Sequence, residues 1–261
     1  MRAMNIAATG MLAQQTNVEV IANNIANQNT TGFKRQRAEF QDLLYQTERR
    51  AGAQSSDTGT IVPVGVQIGI GVKTAAVYRV TTQGNLTTTS NPLDVAIQGR
   101  GFFQILQPDG TTAYTRAGSF QLSPTGQVVT ADGFTVQPGI TVPQNTVAIS
   151  INASGQVQAQ VAGQTAPQTV GQFQLANFPN EAGLEALGNN LFLETPASGQ
   201  PITGNPTSIG FGSLTQGLLE TSNVDIVSEI TNLITAQRAY EMNSKVIQTT
   251  DQMMTSLNQI Q

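Results

Sequence analysis

The two ends of the chain each carry an apolar residue at every seventh position, and this pattern restricts the fold more than any other feature. The N-terminal series is Met4, Met11, Val18 and Ile25, and the C-terminal series is Ile226, Leu233, Tyr240, Ile247 and Met254. Such sustained heptads predict a helix from residue 3 to about 28 and another near the C-terminus, with coiled-coil-like packing. The two helices can pair within one chain, pack between copies in a polymer, or do both.

The chain between these helices predicts β structure. Apolar and polar residues alternate in short segments at 64–72, 93–97, 101–106, 119–122 and 147–151. Turn sequences that contain Gly separate them, at Asp109-Gly110, Thr125-Gly126, Asp132-Gly133 and Ser154-Gly155. Two similar stretches, LSPTGQV at 122–128 and INASGQV at 151–157, each predict a hairpin. The expected fold class is therefore α+β, with terminal helices and an inserted, mainly antiparallel β domain.

The expected division of the chain has four parts. Residues 1–36 hold the N-terminal helix of a core domain, 37–66 an extended linker, 67–219 a β-rich domain and 220–261 the C-terminal helix of the core domain. The linker is expected because residues 46–63 are rich in Gly, Ser, Thr and Gln and would be flexible alone. Thr221, Ser222 or Asn223 is expected to cap the second helix, and Asp225 and Glu229 suit its positive N-terminus.

Composition excludes several kinds of chemistry. The chain has no His and no Cys, so catalysis by a Ser-His or Cys-His pair is impossible, as is a zinc site built from those ligands. Charged residues make up 11% of the chain and the net charge is −4, which gives no basic surface for nucleic acid. The GxG sequences at 69–71 and 99–101 lack the third Gly and the following helix of a dinucleotide site. No catalytic, metal-binding or cofactor residue is predicted, although two distant carboxylates of a glycosidase remain compatible with the sequence.

The first helix is expected to end in a run unusually rich in amide side chains, ANNIANQNTTGFKRQ at 22–36. Asn27, Asn29 and Gly32 can adopt turn or left-handed conformations that stop a helix. Asn23 and Asn24 lie inside the helix, where Asn is a poor helix former. They are expected to hydrogen-bond to adjacent helices or to the chain leaving for the β domain.

Phe33 and Lys34 complete this predicted junction. Lys34 also begins a small basic cluster with Arg35 and Arg37. The cluster is either a solvated face at the end of the helix or a contact with an acidic surface of a neighbouring subunit, and the sequence leaves both open.

Four stretches resemble the bacterial flagellar axial proteins, the rod and hook family. ANNIANQNTTGFK at 22–34 resembles the N-terminal signature of that family, and the end of the chain at 218–254 resembles its C-terminal helix signature. LDVAIQGRGFFQI at 93–105 and YTRAGSFQLSPTGQVVTADGFTV at 114–136 are similar to its central β signature. Within the family, residues 37–63 are most similar to those of distal rod subunits.

The resemblance implies a structural subunit that polymerises into a hollow helical shaft and does no chemistry. Its terminal helices would line a tube around the export channel, and the implied location is the part of the basal body that spans the periplasm. Implied partners are other copies of the chain, proximal rod proteins, the hook protein, the peptidoglycan and outer-membrane ring proteins and the flagellar type III export apparatus. That export route would explain why no cleavable signal peptide is evident at residues 1–17.

Two alternatives are kept. A proximal rod or hook-type axial subunit shares the same terminal signatures. A secreted β-rich adhesin or binding domain belongs to a different class, and it would be a stable monomer with a surface ligand.

Overall fold

A computed structural model describes residues 2–52, 63–164 and 166–259, with side chains to residue 256. Both predicted helices are present, as α1 (Arg2–Ala26) and α2 (Ile226–Gln259). Their 25 and 34 residues correspond to lengths of about 38 and 51 Å. Within the described residues, neither helix combines the length and the apolar character that a membrane span requires.

Antiparallel β structure fills the region between the helices, as expected for the α+β class. The strands are β1 (Gln36–Asp42), β2 (Tyr45–Arg49), β3 (Val66–Gly69), β4 (Val72–Arg79), β5 (Leu86–Thr88), β6 (Val95–Gln98), β7 (Phe102–Leu106), β8 (Thr112–Thr115), β9 (Gln121–Leu122), β10 (Val128–Val129), β11 (Thr135–Val136), β12 (Thr146–Ile151), β13 (Gln156–Val161), β14 (Gln168–Gln172), β15 (Leu175–Asn177), β16 (Glu185–Gly188), β17 (Leu191–Leu193), β18 (Ile202–Gly204), β19 (Ser213–Gln216) and β20 (Leu218–Glu220). A short 3-10 helix at Glu181–Gly183 precedes β16.

The chain forms two compact units, and the first contains both helices. It comprises Met1–Ile25, Gln36–Tyr78 and Asp225–Gln261. Strand β1 pairs with β4, and β2 pairs antiparallel with β3. Contacts between these ribbons and α1 include the ion pair of Arg2 with Glu48 and the hydrogen bond from the backbone N–H of Val72 to Oγ1 of Thr9 at 3.3 Å.

Part of the expected linker is therefore regular structure. Residues 46–49 belong to β2 because their backbone groups pair with β3, so a segment whose composition would be flexible alone is ordered by pairing with another strand. Residues 53–62 of the same segment lie outside the described part of the chain. Residues 36–52 and 63–78, which were expected to be divided between a linker and the β domain, share a unit with the helices.

The second unit is the β domain and comprises Ala26–Arg35 and Arg79–Val224. Its largest sheet has the strand order β16-β17-β8-β7-β11-β10-β9, and β15 joins it through β7 and carries β18. A three-stranded sheet β12-β13-β14 and the pairs β19–β6 and β20–β5 complete the unit. Alternate residues of β7 face two separate apolar clusters, one around Phe103 and Ile105 and the other around Phe102.

The predicted turns and hairpins are present in this unit. The glycines of the four turn sequences have φ angles between 81° and 85°, a left-handed conformation that glycine adopts without steric cost. LSPTGQV forms the hairpin between β9 and β10, and INASGQV forms the hairpin between β12 and β13. Local turn chemistry therefore determines where these strands reverse.

Asp225, rather than any of the three predicted residues, caps α2. Its Oδ1 accepts the backbone N–H of Val227 at 3.1 Å, and its Oδ2 accepts the hydroxyl of Ser228 at 2.9 Å. Ser222 instead accepts the N–H of Val224, before the helix begins. The carboxylate both satisfies an exposed N–H group and interacts favourably with the helix dipole.

Candidate functional site

The two terminal helices pack antiparallel in the first unit, through small and polar residues. Nδ2 of Asn24 lies 3.3 Å from Oε2 of Glu229. Fourteen residues earlier in α1, a Cβ on Gly10 would lie 2.8 Å from Nδ2 of Asn243, which is fourteen residues later in α2. These two contacts fix an antiparallel register that also places Asn17 opposite Ala236. We call this line of contacts the polar seam.

On α2, the polar seam repeats every seven residues. Its members are Glu229, Ala236, Asn243 and Thr250, of which all but Asn243 are buried. Gly10 allows the backbones to approach closely, because any side chain there would displace Asn243. A heptad repeat was predicted for this helix, but the residues in these contacts differ from those of the apolar series.

The nine apolar residues predicted to form helical seams lie beside the polar seam. Within the single chain, Met4, Met11, Val18, Ile25, Leu233, Ile247 and Met254 are half-buried, and Ile226 and Tyr240 are 42% and 44% exposed. Val227, Ile230 and Ile234 add further exposed apolar area near the start of α2. We call the nine predicted residues the apolar stripes. A single chain leaves them partly accessible, so packing within the chain accounts for only part of the heptad pattern.

Asn24 connects the end of α1 to the returning chain. Its side chain is 1% exposed. Its amide group donates to the carbonyl oxygen of Gln36 at 2.8 Å and accepts the N–H of Gln36 at 2.8 Å. Both backbone groups of Gln36 are thereby satisfied by one side chain, as a neighbouring strand would satisfy them. The adjacent Asn23 is exposed.

The turn that follows α1 belongs to the second unit. The carbonyl oxygen of Asn27 accepts the N–H of Thr30, and its side-chain oxygen accepts the hydroxyl of Thr30, both at 3.2 Å. Asn29 is exposed in the same turn, and Phe33 is half-buried. Neither Asn27 nor Asn29 has a positive φ, and Gly32 adopts the left-handed conformation in this turn, at φ 70°.

Gly32 and Lys34 bring the chain against Glu220. The N–H of Gly32 donates to the backbone oxygen of Glu220 at 2.8 Å. A Cβ on Gly32 would lie 2.8 Å from the backbone nitrogen of Ala117, so only glycine fits this approach. The Nζ of Lys34 donates to the Glu220 carboxylate and to the carbonyl oxygen of Thr82.

Lys34, Glu220 and Arg116 form a buried ion cluster. The side chains of Lys34 and Arg116 are 4% and 5% exposed, and that of Glu220 is fully buried. Nε of Arg116 donates to Glu220 at 3.0 Å. Burial lowers the pKa of Lys34, and the charge of Glu220 acts in the opposite direction. Lys34 is therefore not on a solvated face, so that interpretation of the basic cluster is wrong for this residue, and the partner of Lys34 within the chain is Glu220.

No role was predicted for Arg116 or Glu220 from the sequence. A signal for both exists in the charge pattern. Arg116 is the only charged residue between Asp109 and Asp132, and Glu220 is the only one between Glu194 and Asp225. A single charge in a long uncharged segment that carries strands is a candidate for a buried ion pair, because buried charges require partners.

Comparisons with known proteins cover both helices and the β domain. Residues 4–34 match the flagella basal body rod protein family, residues 96–159 match the flagellar hook protein FlgE/F/G D1 domain, and residues 215–260 match the flagellar basal body rod FlgEFG protein C-terminal region.

Full-length relatives carry the same family name. The chain is 65% identical to the flagellar basal-body rod protein FlgG of Caulobacter vibrioides over 260 residues, covering 100% of this chain and 99% of the relative. It is 58% identical to that of Agrobacterium fabrum, with 97% of each chain covered, and 38% identical to that of Bacillus subtilis, with 98% covered. The chain therefore belongs to the FlgG family of flagellar basal-body rod proteins, and it is a structural subunit of the bacterial flagellum rather than an enzyme.

Proposed function

We propose that this protein polymerises into the distal part of the flagellar rod, a hollow helical shaft that transmits torque towards the hook and encloses the export channel. The observation that carries this proposal is the accessibility of the apolar stripes in the single chain. Two long helices with partly uncovered heptads are suited to packing against further helices. Membership of the rod family makes other copies of this chain the natural partners.

Two faces of α2 suit different contacts in such an assembly. The polar seam pairs α2 with α1 within one chain. A column of exposed polar residues repeats at the same spacing elsewhere on the helix, at Thr231, Arg238, Lys245 and Gln252. The apolar stripe lies outside this polar column. We therefore assign contacts between copies to the apolar stripes and solvent to the polar column.

The proposed partners follow from the position of a distal rod in the basal body. They are further copies of the chain, proximal rod proteins at one end, the hook protein at the other, the peptidoglycan and outer-membrane rings around the shaft, and the type III export apparatus that delivers the subunits. The proposed location is the basal body where the rod spans the periplasm. The β domain is proposed to lie outside the tube of helices.

The substitution Leu233→Asp tests this proposal. It places a charge in a half-buried position of the apolar stripe, where packing by another copy would remove it from water. We expect loss of polymers in electron micrographs and in sedimentation, with the β-domain signals of the circular dichroism spectrum unchanged. Thr231→Asp introduces the same charge in the same turn of α2 but in the polar column, and it should polymerise as the wild type does. Normal polymers of the Leu233 variant would refute the assignment of this stripe to subunit contacts.

A further inference from the structure

The β domain contains a cavity of about 240 Å³ beside the buried ion cluster. Lys34 and Arg116 line it, together with Arg100 and Glu181. Arg100 is the accessible member of this set, with 66% of its side chain exposed, and its guanidinium donates to Glu181 at 3.2 Å. This volume is well above the minimum that one water molecule requires, so the cavity can hold a small polyatomic ion with water.

The charges around the cavity do not balance. Lys34 and Arg116 share the single carboxylate of Glu220, and Arg100 pairs with Glu181. Three positive groups therefore face two negative groups, and the carboxylate of Glu181, which pairs with Arg100, also acts on the buried Lys34. A charge in the interior is costly unless a partner of opposite sign compensates it.

The two buried cations also have unused hydrogen-bond donors. Arg116 has five N–H groups, of which one reaches Glu220, two on Nη1 reach the carbonyl oxygens of Gly99 and Gly101, and one on Nη2 reaches Gly99. Lys34 uses two of its three, on Glu220 and Thr82. One N–H of each cation thus has no acceptor among the described residues.

The sequence GRG at 99–101 shapes this site, although it is not a dinucleotide motif. Gly99 and Gly101 have φ angles of 110° and 131°, a region that residues with a side chain rarely adopt. In this conformation their carbonyl oxygens hold the guanidinium of Arg116, and Arg100 between them lies at the cavity. The motif therefore concentrates cationic donors rather than cradling a phosphate with backbone N–H groups.

We propose that this cavity binds one small oxyanion of the carboxylate class, held by Lys34 and Arg116 inside and by Arg100 at the more accessible side. Such an ion accepts several charge-assisted hydrogen bonds at once and cancels the excess positive charge. The same chemistry is available from a free carboxylate in solution and from an acidic side chain of another copy. The site does not depend on the proposed rod assembly, because all of its residues lie in one β domain.

Sodium formate is the probe that tests this site. The full chain is kept dilute, formate replaces chloride at constant ionic strength, and the amide resonances of Gln83 and Gly101 are followed by NMR. We expect saturable shifts in the wild type and none in Lys34→Met. Arg100→Gln should raise the Kd for formate about tenfold or more, because a charge-assisted contact is lost. Lys245→Gln removes one exposed cation from α2, outside the cavity lining, and should leave Kd unchanged.

Two outcomes would overturn the proposal: shifts in the wild type that do not saturate, or an unchanged Kd in the Arg100 variant. That variant carries the test even if Lys34→Met does not fold, since Arg100 is largely exposed. Polymerisation of the wild type in formate then identifies the source of the ligand. Inhibition by formate at its Kd supports a site filled by a carboxylate of another copy, whereas binding without inhibition supports a free anion.

Discussion

Replacing Asn24 by Ala should destabilise the protein, although Ala is the better helix former. The substitution removes both hydrogen bonds to the backbone of Gln36 and the contact with Glu229. Because Gln36 is half-buried, each of its unpaired backbone groups should cost about 1 kcal/mol, the low end of the range for buried groups. The gain in helix propensity is about 0.5 kcal/mol. The expected net loss in the free energy of unfolding is therefore about 1.5 kcal/mol.

Denaturant unfolding of the dilute chain measures this loss, and hydrogen exchange of the Gln36 amide locates it. The exchange of that amide should become faster in the variant. Asn5→Ala is the matched control, because it makes the same change in the same helix at an exposed position away from the polar seam. It should be stabilising by about 0.5 kcal/mol. Equal effects of the two substitutions, or unchanged exchange at Gln36, would refute the role given to Asn24.

Two further expectations concern the β domain. Gly32→Ala should lower the free energy of unfolding by more than about 2 kcal/mol, since Ala would combine a left-handed φ with a backbone clash. Gly133 has a similar φ and open space around it, so Gly133→Ala should lower that free energy by about 1 kcal/mol. Urea unfolding compares the two variants, and similar losses would count against the clash. Burial, assisted by the charge of Glu194, raises the pKa of Tyr114 to about 12. Because the unfolded pKa is about 10, the contribution of Tyr114 to stability is complete below that pH and is lost as the pH rises towards 12. The free energy of unfolding should therefore fall less steeply over this window in Tyr114→Phe than in the wild type, and parallel pH profiles would contradict the shift.

The sequence predicted the elements whose signals are local. Sustained heptads identified both helices, the first to within about two residues at each end, and glycine turn sequences identified the two hairpins. The heptads depend on the spacing of side chains along one helix, and the turns depend on the φ preference of a single glycine. The absence of His and Cys from the sequence likewise restricted the chemistry without any knowledge of the fold.

Features that depend on distant residues were missed or misplaced. Lys34 was interpreted from its neighbours Arg35 and Arg37, but its environment is set by Glu220, which is 186 residues away. The strand at 45–49 was not predicted, because its composition is typical of a flexible segment and its partner β3 follows residues 53–62 in the sequence. Propensity alone cannot show pairing of this kind, since the stabilising backbone hydrogen bonds come from another segment.

The polar seam explains why the amide-rich run extends into the helix itself. An apolar surface tolerates small shifts of one helix along another, because dispersion and burial are not directional. A seam that contains Asn24 against Glu229 and Gly10 against Asn243 permits fewer registers, since a shift would unpair buried polar groups. Asn24 also links that seam to Gln36, so the register of the helices and the path of the departing chain are fixed by one side chain. With the register fixed by polar contacts within the chain, the apolar stripes remain on defined faces of the helices. That arrangement is what the proposed packing between copies requires.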